Sequence, residues 1–208
     1  MAARTSMASL ILTLRALAAA GTADYTVNGE SYWTATQIQE VLDRHAQQIR
    51  HEELQPMPTI GLGGTIGYFD YGSPRRFFET TDAGTARFII QSETGATIGT
   101  AAWTADYESG IVTFGTSTAG LARYVTGYVY DLNAAAADIW AQKAAHYVTA
   151  YDVSTDNHSL KRSQIIDNCM KMSKEYMKGA AMFHISVDRS DGEGPLADPT
   201  IRTGRTHN

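Results

Sequence analysis

Residues 128–144 read YVYDLNAAAADIWAQKA, a stretch in which a strand pattern changes into a helix pattern. The aromatic residues alternate before Asp131, as is typical of a strand, and the apolar residues after it recur at helical spacing. The helix opens with four small residues, Ala134, Ala135, Ala136 and Ala137. Because alanine lacks side-chain bulk, this helix can approach another backbone closely. The stretch therefore predicts an architectural helix, packed against the rest of its own bundle or against a neighbouring subunit.

Length and charge restrict the classes of protein that this chain can represent. Its 208 residues suffice for one or two domains with a buried core. There are 17 Lys and Arg residues against 22 Asp and Glu residues, which gives a net charge of -5. A tight grip on nucleic acid needs clustered positive charge on phosphates, so this balance argues against it.

The single cysteine, Cys169, lies in a helical pattern among apolar residues. One cysteine excludes a disulfide within the chain and a cysteine metal cluster. We expect Cys169 to act as a small core hydrophobe.

The N-terminal segment combines a basic residue, an apolar run and small residues, as a signal peptide does. Its apolar residues nevertheless recur at helical spacing, from Met7 through Leu10 and Leu14 to Leu17. We interpret it as an amphipathic helix of the mature protein. No run approaches the ~20 apolar residues that span a bilayer, so no membrane partner is expected.

Local signals predict the elements that follow. The first helix is expected from Thr5 or Ser6 to Gly21, and Asn28 with Gly29 predicts a two-residue hairpin turn. Thr34 and Gln37 form a capping box for a second helix. The apolar face of that helix is expected to comprise Ile38, Val41, Leu42, His45 and Ile49. Pro56 and Pro58 are expected to end this region.

Between Gly61 and Tyr130 the pattern changes from helical to alternating, and glycine and threonine become frequent. This change predicts an inserted antiparallel β subdomain. Candidate strands cover residues 66–71, 77–80, 86–92, 97–102, 103–107, 111–114 and 123–130. Turns are expected at residues 93–95 and 108–110, each of which ends in glycine.

A third helix is expected over residues 133–151, and a fourth over residues 160–178, with a polar loop between them. After Gly179 the helical pattern ends, and the remaining residues contain too little apolar surface for a core of their own. The one apolar piece alternates through Met182, Phe183, Ile185 and Val187, and could add a strand to a partner. We predict that residues 180–208 form an extended assembly tail.

These patterns predict an α+β fold, a helical bundle of about four helices with an inserted antiparallel β subdomain and an extended C-terminal tail. Residues 1–60 would supply the N-terminal helices and hairpin, and residues 61–130 the β subdomain. Residues 131–179 would supply the C-terminal helices, and residues 180–208 the tail.

Several stretches together resemble one known protein family. In the first half they are RTSMA at 4–8, GTADYTVNGESYWT at 21–34 and QEVLDRH at 39–45. In the second half they are DYESGIVTF at 106–114, residues 127–143, and LKRSQ at 160–164. In order and spacing they are similar to tailed-phage head-to-tail connector proteins, also called adaptor or head-completion proteins. The resemblance covers residues 4–178, roughly, and none of these stretches is a catalytic motif.

The resemblance implies a structural virion protein in the neck, made in the host cytoplasm. Such a protein forms a ring, commonly twelvefold, that docks on the portal protein, joins it to tail or neck proteins and surrounds the passing double-stranded DNA. The small residues Ala134 to Ala137 and the apolar tail residues Met182, Phe183, Ile185 and Val187 are the expected subunit or portal contacts. No catalytic, cofactor or metal site is expected.

Groups that could carry chemistry were weighed against simpler roles. The six histidines are scattered, and His51 lacks a second histidine at the spacing of a helical zinc site. The glycine-rich residues 61–67 lack the Gly-Lys-Ser/Thr ending of a phosphate loop. Asp106 and Glu108 flank a Ser-Gly turn, where solvated turn residues are expected rather than a carboxylate pair.

Two alternatives to the connector stay open at this point. The first is a β-rich binding or neck accessory module, in which exposed aromatic residues recognise a glycan or a capsid partner. The aromatic residues concerned are Tyr68, Phe69, Tyr71, Phe77 and Phe78. The second is a hydrolase whose site has no recognisable motif.

Overall fold

A computed structural model describes residues 2–22, 24–61, 64–81, 86–148, 153–155, 158–160 and 162–180. Within them the chain is a mixed α+β protein with four α-helices and a curled, antiparallel seven-stranded sheet. The predicted α+β class is confirmed. The expected helical bundle is wrong, because the sheet forms the larger part of the fold and the helices pack as a layer beside it. The expected tail lies outside the described residues, apart from Ala180.

The helices are α1 (Ala8–Leu17), α2 (Ala35–Arg44), α3 (Leu132–Tyr147) and α4 (Arg162–Lys178). The sheet contains β3 (Ala46–Ile60), β4 (Ile66–Gly72), β5 (Phe88–Ser92), β6 (Thr97–Ile98), β7 (Trp103–Asp106), β8 (Ile111–Phe114) and β9 (Arg123–Tyr130). Two separate hairpins join β1 (Tyr25–Val27) to β2 (Glu30–Tyr32) and β10 (Val153–Thr155) to β11 (His158–Leu160). Short 3-10 turns cover Thr5–Met7 and Thr100–Ala102.

Local signals placed several of these elements correctly. Asn28 and Gly29 both have positive φ and connect β1 to β2, as a primed hairpin turn requires. The Thr34 hydroxyl accepts from the Gln37 amide at 3.3 Å, while the Thr34 amide donates to the Gln37 side chain at 2.8 Å. The predicted capping box is therefore confirmed.

The second helix is shorter than expected. It ends at Arg44, and β3 begins two residues later, whereas the helical pattern was extended to Ile49 and the β region was expected only from Gly61. Ile49 pairs with Gly127 of β9 and is buried in the sheet core. Pairing with β9, which is distant in sequence, overrides the local helical spacing.

Pro56 and Pro58 lie within β3 instead of ending it. The pairing of β3 with β9 reaches only to Leu54, while the pairing with β4 continues from Gln55 to Ile60. The prolines thus occupy the part of β3 that has one neighbouring strand. A proline lacks the N–H that a second neighbour would need, so it is tolerated at such an edge.

The sheet has the strand order β6-β5-β9-β3-β4-β8-β7, so that β6 and β7 are its two edges. Only residues 99–102 separate these edge strands along the chain, which keeps the edges near each other. The indole N–H of Trp103 donates to the Ile98 carbonyl at 3.2 Å, and the Trp103 ring lies against Phe88. The sheet therefore curls around its own apolar face.

Residues 77–79 close one end of the curled sheet. The predicted strand over 77–80 is present only as an isolated bridge between Phe78 and Val129. The Phe78 amide donates to the Tyr107 carbonyl at 2.8 Å, and the Glu79 amide donates to the Tyr128 carbonyl at 3.0 Å. This segment therefore connects β9 to the turn after β7.

Buried side chains form two clusters, one in the helical layer and one inside the sheet. The helical cluster comprises Met7, Leu10, Ile11, Leu14, Ala18, Ala20, Trp33, Ile38, Val41, Leu42, Tyr130, Leu132, Ala135, Ala136 and Ile139. The sheet cluster comprises Ile49, Leu54, Tyr71, Phe78, Phe88, Ile90, Trp103, Val112, Phe114, Val125 and Val129. Consecutive residues of β9, Val129 and Tyr130, belong to different clusters, because successive side chains of a strand point to opposite faces.

Cations satisfy the carbonyl groups at the C-terminal end of α1, which ends at Leu17 and not at Gly21 as expected. The nearly buried ammonium of Lys143 donates to the Ala18 and Ala19 carbonyls at 3.0 and 2.8 Å, and contacts Asp24 at 2.6 Å. Arg15 donates to carbonyls further along the chain. Positive charge at this helix end is favourable, and it fixes α1 to α3.

Ala136 is fully buried in the helical cluster, so Ala136→Leu should insert volume where no space exists. We expect the free energy of unfolding to fall by about 1–3 kcal/mol. Urea denaturation followed by circular dichroism measures this loss. Ala145→Leu, at an exposed position of the same helix, is the matched control and should leave stability nearly unchanged. Equal stability of the two variants would contradict tight packing at Ala136.

Candidate functional site

The alanine stretch of α3 is buried within the single chain. Ala135 and Ala136 face the helical cluster, whereas Ala134 and Ala137 are buried on the other side of the helix, where α4 packs. The close approach that alanine permits is therefore made to elements of the same chain. The expected contact of these residues with another subunit stays a prediction.

The other expected contact residues, Met182, Phe183, Ile185 and Val187, lie outside the described part of the chain. The segment that leads to them is α4, which runs antiparallel to α3. The Asn133 side-chain amide donates to the Gly179 carbonyl at 2.8 Å, which places the end of α4 beside the start of α3.

Most of the α4 surface is exposed. The inward face comprises Ile166, Cys169, Ser173 and Tyr176, at the spacing of one helix stripe. Exposed apolar side chains lie on both sides of that face, Ile165 and Met172 on one flank and Met170 and Met177 on the other. At 3.6 residues per turn, the two flanks are roughly 140–160° apart around the helix axis.

A buried polar cluster joins the N-terminal segment, α2 and the sheet. Its centre is Glu79, whose side chain is fully buried. One carboxylate oxygen accepts from the Arg4 guanidinium at 3.0 Å and from the Ser6 hydroxyl at 2.7 Å. The other accepts from the Tyr130 hydroxyl at 2.6 Å. Arg4 also makes a bidentate pair with Asp43 of α2, at 2.6 and 3.0 Å.

The protonation states of this cluster favour a structural role. Burial, followed by the hydrogen bond to Glu79, raises the pKa of Tyr130 well above its usual range. The hydrogen bond to Asp43 is the largest cause that raises the pKa of Arg4. A phenol that keeps its proton is a poor general base, and the buried Glu79 is closed to a substrate. The cluster fixes segments to one another.

Sequence reasoning missed this cluster. Arg4 and Glu79 are 75 positions apart, and neither lies in a charge pattern that singles it out. The available signal was a lone glutamate directly after two aromatic residues, Phe77 and Phe78, in an alternating segment. That signal marks a half-buried strand position and does not identify a partner.

Three histidines have a structural environment that accounts for them. The His45 ring lies 2.8 Å from the Asp138 carboxylate, His51 stacks on Tyr124, and His146 stacks on Tyr25. No group of three or more potential metal ligands occurs among the described residues.

The carboxylates of the turn at residues 108–110 are exposed, as the sequence predicts. Asp106 accepts from the Ser109 hydroxyl at 2.6 Å and from the Glu108 amide at 3.1 Å. The bond from Ser109 is the main cause that lowers the pKa of Asp106. This arrangement is a local turn motif.

The aromatic surface expected for a binding module is only partly present. Tyr71 and Phe78 belong to the buried sheet cluster, so their expected exposure is wrong. Both alternate into the sheet interior, a direction that one sequence cannot give. Phe69 is exposed, and Tyr68 and Phe77 are half-buried.

The glycine-rich residues 61–67 lie at the β3–β4 connection. The Gly61 amide donates to the Thr65 carbonyl at 2.8 Å, and β4 follows, where a phosphate loop would have a helix. In the described residues no helix is both long and apolar enough to span a membrane. Comparisons of the chain with protein-family models, curated proteins and solved structures found no match.

Arg4→Met should leave the buried Glu79 carboxylate without its main cationic partner. Because breaking a buried ion pair is costly, we expect a loss of about 3 kcal/mol in the free energy of unfolding. The double variant Arg4→Met/Glu79→Gln should recover part of this loss, as denaturation of all variants would show. Arg50→Met, at an exposed arginine, is the control. Fully additive losses in the double variant would disprove the coupling.

Burial raises the pKa of the Cys169 thiol, which lowers its thiolate fraction. At pH 8 we expect alkylation by iodoacetamide to be slower than in the urea-unfolded chain by about tenfold or more. Mass spectrometry over time measures this rate. Cys169→Ser should keep the fold and any assembly, apart from a small packing loss. Equal alkylation rates in the folded and unfolded chains would contradict the inward position of Cys169.

Proposed function

We propose that the protein is a structural, non-enzymatic virion subunit of a tailed phage. It forms a ring that docks on the portal protein, joins it to the tail or neck and surrounds the DNA channel. The proposal rests on the resemblance of residues 4–178 to head-to-tail connectors, together with one structural observation that concerns α4.

That observation is the pair of exposed apolar flanks on α4. A ring subunit contacts one neighbour with one surface and the next neighbour with a different surface. Ile165 and Met172 supply one such surface, and Met170 and Met177 supply the other, while the face between them packs on α3. Exposed methionines are adaptable contact residues, because their side chains are flexible and polarizable.

The charge of the chain supports a channel through which DNA passes without sequence-specific binding. The net charge of -5 repels a duplex weakly and avoids the release of counterions that would hold it in place. In this proposal residues 180–208 form the arm that grips the portal or a neighbour, and the ring is twelvefold, as is common in the family that the sequence resembles.

The α4 flanks give a direct test on the full chain. Met172→Asp and Met177→Asp, one on each flank, should each weaken ring formation while the helix content stays the same. Burying one such side chain stabilises a contact by about 1.5–3 kcal/mol, so the ring population should fall strongly. Native mass spectrometry and cryo-EM of the purified protein measure this population.

Gln164→Asp adds the same charge at an exposed polar position of α4 and is the matched control. The flank assignment fails if all three variants assemble like the unmodified chain. The connector function itself fails if cryo-EM of the virion shows a neck without this protein.

A further inference from the structure

The β3–β4 hairpin extends past the rest of the sheet. Pairing with β9 ends at Leu54, and pairing of β4 with β8 begins at Asp70. Beyond the Pro58–Tyr68 pair, the two strands have only each other as partners within the sheet. The hairpin end therefore projects from the sheet.

The projecting end is apolar and carries no charge. Ile60 and Ile66 are direct cross-strand partners, so they share one face of the hairpin, and they are 76% and 57% exposed. No charged residue or histidine occurs at positions 54–69. We call Ile60 and Ile66 the tip. Two adjacent, exposed isoleucines at the end of a hairpin are an unusual expense of apolar surface unless a partner covers them.

The helical layer offers a groove of matching chemistry. It has a volume of about 360 Å³ along the outer side of α1, where Ala3, Ala8, Ile11, Leu12 and Ala35 line it. Leu12 is 70% exposed. We call this depression the α1 groove.

The charges at the edge of the α1 groove are already neutralised or satisfied within the chain. Arg4 is paired with Asp43 and Glu79, and Arg15 donates to the carbonyls of Ala20 and Trp33. An acidic partner would have to compete for these groups, whereas an uncharged apolar partner would not. The uncharged tip thus fits the groove in polarity.

The tip and the α1 groove of one chain are at opposite ends of the long strand. β3 begins at Ala46, beside Tyr130 and the helical layer, and its last residue is Ile60. At ~3.3 Å per residue, the 14 steps of strand correspond to about 45 Å of chain path. A rigid strand within a sheet cannot fold back over this distance. An occupant from the same chain is therefore excluded.

We propose that the tip of one copy docks in the α1 groove of a second copy. Both surfaces belong to this chain and are unlike each other, so the contact is heterologous and leaves a free tip and a free groove at the two ends of any open oligomer. This inference rests on the proposed ring function and names the surfaces that join its subunits, in addition to the α4 flanks.

Mixed cysteine variants test the contact in the full chain. In a Cys169→Ser background, Ile60→Cys and Leu12→Cys are purified separately, mixed, and treated with a short bis-maleimide cross-linker. We expect a cross-linked dimer in the mixture and none in either variant alone. Glu93→Cys mixed with Leu12→Cys is the control, because Glu93 lies in the exposed turn between β5 and β6.

Sedimentation velocity provides the second measurement. Ile60→Asp places a charge in the apolar contact and should weaken self-association about tenfold or more. Thr97→Asp, at an exposed position of β6, should not. Unchanged association of Ile60→Asp would overturn the proposal, as would a chain that is monomeric at every concentration.

Other occupants give different results. Cross-linking of Ile60→Cys to itself would show a tip-to-tip contact, and flotation with neutral phosphatidylcholine vesicles that depends on Ile60 would show a lipid partner. Either result overturns docking in the α1 groove. Rings that form without the tip-to-groove cross-link would refute this contact and leave the connector proposal intact. A specific cross-link in a protein missing from the virion neck would do the reverse.

Discussion

A carboxylate without access to water must have its partners supplied by the fold, and Glu79 is such a group. Its partners come from the N-terminal segment and from β9, and Arg4 continues the network to Asp43 of α2. The helical layer and the curled sheet therefore have to meet in one relative position. Any displacement between them would leave a buried charge unpaired, which is far more costly than the loss of one apolar contact.

The helical layer repeats this principle with backbone carbonyl groups as the acceptors. Lys143 reaches from α3 to the last carbonyls of α1, and Arg15 reaches those of the following segment. The apolar cluster supplies most of the driving force for packing, but it tolerates small sliding movements of one helix over another. Directional bonds at the helix end remove that freedom. α3 is held from both sides, by this cap and by α4.

The sequence was sufficient where structure depends on neighbouring residues. The hairpin at Asn28, the capping box at Thr34 and strand β8 depend on turn chemistry and alternation, and all were predicted. It was insufficient where distant segments decide. Ile49 fits a helix stripe equally well, and only pairing with Gly127 places it in a strand. The inward direction of Tyr71 and the partners of Glu79 likewise depend on how the sheet curls. The expected subunit contacts depend on other chains, which no local pattern specifies.

Pro56 and Pro58 have a further effect on the projecting hairpin. An exposed strand with an apolar end is a template on which identical chains can stack without limit, as in fibrils. The prolines remove amide donors from the single-neighbour part of β3, so an incoming strand would find an interrupted ladder of hydrogen bonds. Side chains of the hairpin stay available for contacts while its backbone resists sheet growth. This division allows a sticky surface to be carried at high local concentration without a route to aggregation through that edge.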